Sequence, residues 1–356
     1  MKKIIILLCF IFLTTGCYDN IELDDLAIVT GVGIDYKNDK FYLTYEVLSD
    51  VKTDENTALL SYTVSGSGKT ISEAFIDTSY KVSKKAYFAH LKTLVISEEV
   101  INGHFEKIVD YLLRDTNIRS EFKVLVSNGC TPLEVLKNND KNHPVVSEFI
   151  VNLIDNEKYN NNLVIGETFR QIIVKMLSDK TDAILNTISI EDGEIAINNS
   201  YIFKDFNYQN TLSKQNSSLY NMLTKSVTAI EFDKMYDDKN VTISINSSDT
   251  SIEVLKDKII INTSLEGKVL ENDANLNLKD TKTYQELNED FSQIIEKDIT
   301  TFVQVLQENE SDILGFQDIY YKATRKNNDN LWLSSLIEVN VDLKVNTKGF
   351  IFEVSK

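Results

Sequence analysis

Apolar residues along this chain recur with two periods, and the switches between them mark most of its elements. The stretch KFYLTYEVLS, residues 40–49, puts Phe41, Leu43, Tyr45 and Val47 on one face and Tyr42, Thr44 and Glu46 on the other, the pattern of a strand with one apolar and one polar side. Ala27–Asp35 is an earlier strand with Gly31 and Gly33 inside it, and Asn38-Asp39 between the two is a hairpin turn signal. Leu59–Val64 reads as a third strand. Over Thr70–Val82 the spacing becomes helical, with Ile71, Ala74, Phe75 and Thr78 on one side. Leu91–Ile96 is a strand. Ser97 then caps a helix that begins at Glu98-Glu99, acids suited to the positive helix end, and runs through Phe105, Ile108, Val109, Leu112 and Leu113. Another strand, Phe122–Val126, precedes a mainly helical stretch from Pro132 to Leu177.

From about Ile188 the pattern changes to short strands separated by Asn, Asp and Gly turns: YIFKDF, Val241–Ile245, Ile252–Leu255 and Ile259–Leu265. A long helix over Tyr284–Leu306 follows, its apolar positions Tyr284, Leu287, Phe291, Ile294, Ile295, Phe302, Val305 and Leu306 spaced three or four apart. Ser311-Asp312 is expected to cap another helix through Tyr321. The chain closes on an alternating strand with Ile337, Val339, Val341, Leu343 and Val345. Strands, then helices, then a strand give an α+β fold class.

The first residues change this picture from a globular body to a tethered one. Lys2 and Lys3 precede ten uncharged residues, Ile4–Leu13. As a helix these would measure about 15 Å, roughly half a bilayer's hydrocarbon core, which suits the apolar region of an export signal. Thr14-Thr15-Gly16-Cys17 then places small residues beside a thiol, as lipoprotein processing requires. The expected cleavage lies between Gly16 and Cys17, leaving Cys17 to carry S-diacylglycerol and N-acyl chains; Thr14 stands where the lipobox usually has Leu. Cys9 leaves with the signal, so Cys130 is the remaining thiol and no internal disulfide is possible.

Charge narrows the partners. The formal net charge is −17, and removal of Lys2 and Lys3 with the leader makes it about −19. Nucleic acid, whose binding is dominated by phosphate neutralisation, is excluded, as is a polybasic grip on lipid headgroups.

Motifs that suggest chemistry fail on spacing. SGSGKT, Ser65–Thr70, lacks the first glycine of a phosphate loop, since Thr63 occupies that position. TGVGID has Tyr36 where a dinucleotide loop needs its third glycine, and Gly31 and Gly33 are better explained by close backbone approach. DANLNL begins like a calcium loop but has Leu278 at its sixth position and Tyr284 at its twelfth. His90, His104 and His143 form no metal-ligand pattern. No catalytic residue, metal site or cofactor is expected.

A set of blocks does carry information together. GCYDNIELDDLAIVTGVGID resembles the start of the Ger(x)C family, the C subunits of GerA-type spore germinant receptors, with Tyr18 in place of the usual Trp. GKTISEAF, AHLKTLVISEEV and LLRDTNIR resemble its next blocks. SDILGFQDIYYKA with Trp332 resembles its C-terminal signature, although Gln317 replaces a usual Gly and no Pro precedes Trp332. The segment after YIFK departs from the family's pattern. The resemblance implies three mixed α/β domains with largely antiparallel sheets: a signal peptide at 1–16, then domains at 17–187, 188–235 and 236–356. It also implies a lipoprotein on the outer face of the spore inner membrane, anchored in the lipid bilayer through Cys17. Such a subunit acts with integral-membrane A and B subunits and has no catalytic activity. The alternative is a solute-binding lipoprotein that captures a small germinant directly, which a ligand-dependent melting shift of the isolated protein would reveal.

Overall fold

Two sheets organise the chain. The computed structural model describes residues 25–52, 57–140, 142–156, 163–225, 227, 229–327 and 330–346. The expected leader, with Gly16 and Cys17, lies outside the described residues.

The first sheet has the order β3-β2-β1-β5-β6-β7-β8-β9, with the short β4 also beside β1. Its strands are β1 (Leu26–Lys37), β2 (Lys40–Lys52), β3 (Thr57–Gly68), β4 (Lys85–Tyr87), β5 (Thr93–Ser97), β6 (Lys123–Ser127), β7 (Ala183–Glu191), β8 (Glu194–Lys204) and β9 (Asn207–Leu212). The flanks are antiparallel, while β1, β5, β6 and β7 run parallel through the middle. A parallel centre needs both faces covered, and β5 and β6 are buried at every position. On one face pack α1 (Ile71–Ser79), α2 (Glu98–Ile101), α3 (Phe105–Arg114) and α6 (Phe169–Met176). On the other lie α4 (Pro132–Leu136) and α5 (Val146–Asp155), whose Leu136, Val146, Ile150 and Ile154 meet Val95 and Leu125.

This second layer buries part of the polar face of β2 as well. Glu46, on that face, is fully buried, because α4 and α5 cover it. The glycines of β1 make room for them. A Cβ at Gly31 or Gly33 would stand 3.0 Å from side-chain atoms of Leu136 and Pro132 respectively.

SGSG proves to be part of β3, paired with β2 from Gly66↔Leu43 to Gly68↔Phe41. Its glycines admit α1. A Cβ at Gly66 would lie 2.4 Å from Thr78 Oγ1, and one at Gly68 would lie 2.4 Å from the Ala74 nitrogen. Thr70 caps the helix by accepting from the Glu73 N–H at 3.1 Å, and Glu73 in turn accepts from the Lys69 N–H at 2.8 Å. The sequence thus serves helix packing and capping. Gly68→Ala should cost about 1–3 kcal/mol, since backbone stands in the way of the added methyl; a urea midpoint equal to wild type would refute this close fit.

The second sheet, β10-β11-β12-β13, comprises Ile230–Tyr236, Lys239–Val254, Lys258–Asn272 and Leu336–Asn346. β11 and β12 are long strands rather than the short ones expected. The polar run Asn246–Asp249 reads locally as a turn, but it is absorbed by an irregularity between Ile245 and Ser247. One sheet face packs on α7 (Lys214–Thr224), α8 (Thr281–Glu308) and α9 (Phe316–Thr324), with Phe291, Ile295, Ile299 and Phe302 of α8 buried against it. A 3-10 turn, Leu331–Ser334, seats Trp332 5.4 Å from Phe316.

The two halves share a core. Ile184, Ile202 and Leu212 of the first sheet belong to the second hydrophobic cluster. The expected boundary at 187/188 lies inside β7, and β8 and β9 continue the first sheet beyond it. Among the described residues no helix is long and apolar enough to cross a membrane.

Candidate functional site

The polar groups withdrawn from water are the first places to look for chemistry. Glu46 Oε1 accepts from Ser61 Oγ at 2.8 Å and from the Val146 N–H at 2.6 Å. Its Oε2 accepts from Thr30 Oγ1 and from the Ser147 N–H, each at 3.0 Å. Val145 stands at the N-cap of α5 and makes no side-chain cap. Glu46 therefore caps this helix from a strand a hundred residues earlier, satisfying donors that a helix start leaves open.

A parallel arrangement joins the two halves. Asp312 Oδ1 accepts from the Phe316 N–H at 2.7 Å and Oδ2 from the Gln317 N–H at 2.9 Å. The Asp312 N–H donates to Asp182 Oδ2 at 2.7 Å, and the Asp182 N–H returns to the Asp312 carbonyl at 3.0 Å. Ser311-Asp312 thus precedes α9 by a turn instead of forming its N-cap, which is Gly315. Burial raises the Asp312 carboxyl to about 7, with the nearby Asp182 adding to the rise against the backbone donors Gln317, Phe316 and Gly315. Burial raises Asp182 as well. Paired buried acids can serve acid–base chemistry, but here each is held by backbone amides, and what they hold together is the fold.

Of two further networks, one links the first half to α7 and the other lies at the first sheet. Lys175 pairs with Glu167 and donates to the Tyr220 hydroxyl at 2.7 Å; that hydroxyl donates to Glu167 Oε1 at 2.8 Å. Burial pushes this phenol well above its ordinary range. The Tyr201 hydroxyl donates to Glu98 Oε1 at 2.5 Å, and Asn128 Nδ2 reaches both groups. Burial and then Glu98 push this tyrosine up to about 12. Beside it opens a polar hollow of about 480 Å³ lined by Asn128, Asn198, Asn199, Tyr201 and Lys214.

The other residues marked in the sequence are dispersed. His90 lies 6.0 Å from the Tyr87 ring, His104 lies 3.7 Å from the Tyr36 ring with the planes tilted, and His143 lies 4.0 Å from Phe149. Burial lowers the His104 pKa. Ser97 is at the start of α2 but its side chain caps nothing, and α2 and α3 are separate helices, the chain turning at Asn102–His104. Cys130 is half-buried, and burial pushes its thiol up. Among the described residues no group of three His, Cys, Asp or Glu side chains could hold a metal ion. Sequence reasoning missed Glu46 and Asp182, whose partners are far away along the chain.

Comparison with known proteins gives these blocks a context. The chain matches the family model described as the spore germination protein N-terminal domain over residues 19–190. It matches the model described as spore germination B3/GerAC like, C-terminal, over residues 198–350. Spore germination protein A3 of Bacillus subtilis (strain 168) is 26% identical over 284 residues, covering 76% of this chain and 74% of that protein. Spore germination protein KC of the same organism is 21% identical over 384 residues, covering 96% and 93%. A solved structure described as the crystal structure of the GerBC protein aligns with a TM-score of 0.55 at 18% identity, over 92% of this chain and 99% of that one.

Proposed function

This chain belongs to the Ger(x)C family of spore germination proteins, and on that premise we propose that it is the lipid-anchored C subunit of a nutrient-germinant receptor. It acts by contact with integral-membrane A and B subunits, on the outer face of the spore inner membrane, and it carries out no catalysis. The observation that carries this reading is the match of both germination domain models, which together run from residue 19 to residue 350. The leader 1–16 and the acylated Cys17 belong to the same proposal. An anchor raises the local concentration of the body near membrane partners, so modest contacts suffice to hold a complex. The acidic surface, net −17 over the chain, steers it toward basic extracytoplasmic loops, and this part of the attraction weakens with salt.

Cys17→Ala should abolish incorporation of radiolabelled lipid and reduce germination with one receptor's nutrients to the level of a null strain. The null strain should also contain less of the partner A or B subunit on blots. Unchanged lipid labelling would remove the anchor. Normal germination and normal partner levels in a null strain free of paralogues would remove the receptor role.

A further inference from the structure

β13 ends the second sheet, and its pairing with β12 is parallel and unbroken from Lys258↔Leu336 to Lys268↔Asn346. A strand of this length at a sheet edge invites pairing, and proteins ordinarily guard such edges with bulges, prolines or inward charges. None interrupts this one. Its outward side can be identified from its hydrogen bonds. The Leu336 N–H points inward, to the Asp257 carbonyl at 2.9 Å. Those of Val341 and Val345 point outward, to Glu296 Oε1 at 3.4 Å and Asn288 Oδ1 at 2.9 Å on α8. Alternation along the strand places the Ile337 and Val339 N–H groups on that same outer edge. Neither meets an acceptor among the described residues.

The helix therefore guards one end of the edge and leaves the other open. Opposite Ile337 and Val339, α8 presents the short side chains of Thr300 and Thr301, with Gln304 beyond. A groove of about 890 Å³ lies between strand and helix. Ile337 and Val339 are half-buried in its floor, and Leu336 at its end is 74% exposed. Lys258 and Glu338 at the margin pair with each other, and Lys297 and Glu296 add one charge of each sign, so the lining is balanced. Such a groove asks for main-chain partners and apolar side chains at alternate positions, not for a compensating charge.

We propose that this groove receives a neutral extended segment of a partner subunit, which adds a strand to β13 at Ile337–Val339 and lies against Thr300, Thr301 and Gln304 of α8. Main-chain bonds supply the attraction, and the floor selects alternating apolar side chains. The inference rests on the receptor reading above and names the surface through which contact is made.

The test uses the full-length chain purified from spore membranes, alone and with its co-purifying membrane subunits. Hydrogen exchange at Ile337 and Val339 should be fast in the isolated chain and at least about 100-fold slower in the complex. Val339→Pro removes the outward N–H while leaving the β12 ladder intact, since proline is tolerated where the N–H faces away from the sheet. It loses some packing against the second core and should melt slightly lower, but it should fold and lower recovery of the membrane subunits about tenfold. Thr301→Trp, which fills the groove from an exposed helix position, should keep the melting temperature and lower recovery to the same extent without touching the strand. Slow exchange in the isolated chain would assign the edge to this chain's own residues after Asn346, or to a second copy, and would overturn the inference. Wild-type recovery with both variants would overturn it while leaving the receptor reading standing. If the wild-type chain brings down no membrane subunit, the receptor reading fails and the groove's partner fails with it.

Discussion

Glu46→Ala should lower the stability of the chain by about 3–5 kcal/mol, the range expected when a buried hydrogen-bonded acid is removed and its donors are left open. Four donors would lose their partner: the Val146 and Ser147 amides and the hydroxyls of Thr30 and Ser61. The loss should be local in cause and wide in effect, because α5 shares with α4 the cover of one face of the first sheet, through Val146, Ile150 and Ile154. Glu46→Gln keeps an acceptor on one side only and should fall between wild type and Ala. Urea unfolding followed by circular dichroism would measure both. A loss below about 1 kcal/mol in the Ala variant would mean that water replaces the carboxylate at the helix start.

The Asp182–Asp312 joint predicts an opposite pH dependence from that of an ordinary salt-bridged acid. Asp312 has its folded pKa raised from 3.8 to about 7. The folded state therefore holds the proton more tightly than the unfolded chain. Its contribution to stability is fully present below pH 3.8, is lost as pH rises toward 7, and is level above that. Three pH units set an upper bound of about 4 kcal/mol, so a change on the order of 2–4 kcal/mol between pH 4 and pH 8 is expected from this site. The surrounding charges are Asp182 itself, Lys204 and Asp205. Asp290 and Glu338, whose pKa values are held down, work the other way and lose their contribution as acid is added. Asp312→Asn keeps an acceptor for one α9 amide and removes the titration. Its denaturant midpoint should vary less between pH 5 and pH 8 than that of wild type, and an unchanged slope would show that the joint does not titrate there.

What sequence alone revealed follows from how far each signal reaches. The hairpin at Asn38-Asp39 was legible because both residues need positive φ, 50° and 57°, and Asn and Asp tolerate it. α8 was legible from its spacing, and β13 from its alternation. The burial of Glu46 on the polar face of β2 was not legible, because nothing near Thr44 or Glu46 in sequence tells of α5, which arrives a hundred residues later. Ser97 through Leu113 kept an apolar period across a break, so the separation of α2 from α3 was invisible. Asp312 stood in a recognised block, but its role depended on Asp182, and no local pattern pairs them. At the amino-terminal end the candidate Cys17 follows from the chemistry of the chain start alone, and lipid labelling tests it.

The parallel pairing of β12 with β13 has a consequence in time. Two strands so aligned cannot be joined by a tight turn, and here α8 and α9 fill the interval from Asn272 to Leu336. While the chain is being synthesised, β10, β11 and β12 can pair in succession, but the β12 edge waits for more than a helix pair to emerge. Ile259, Ile261 and Leu265 wait with it, since the core they share with α8 closes only when Leu343 and Val345 arrive. The second half therefore matures late and through distant contacts, the slow regime of folding, and the unfinished edge is the place where nascent chains are most exposed to one another.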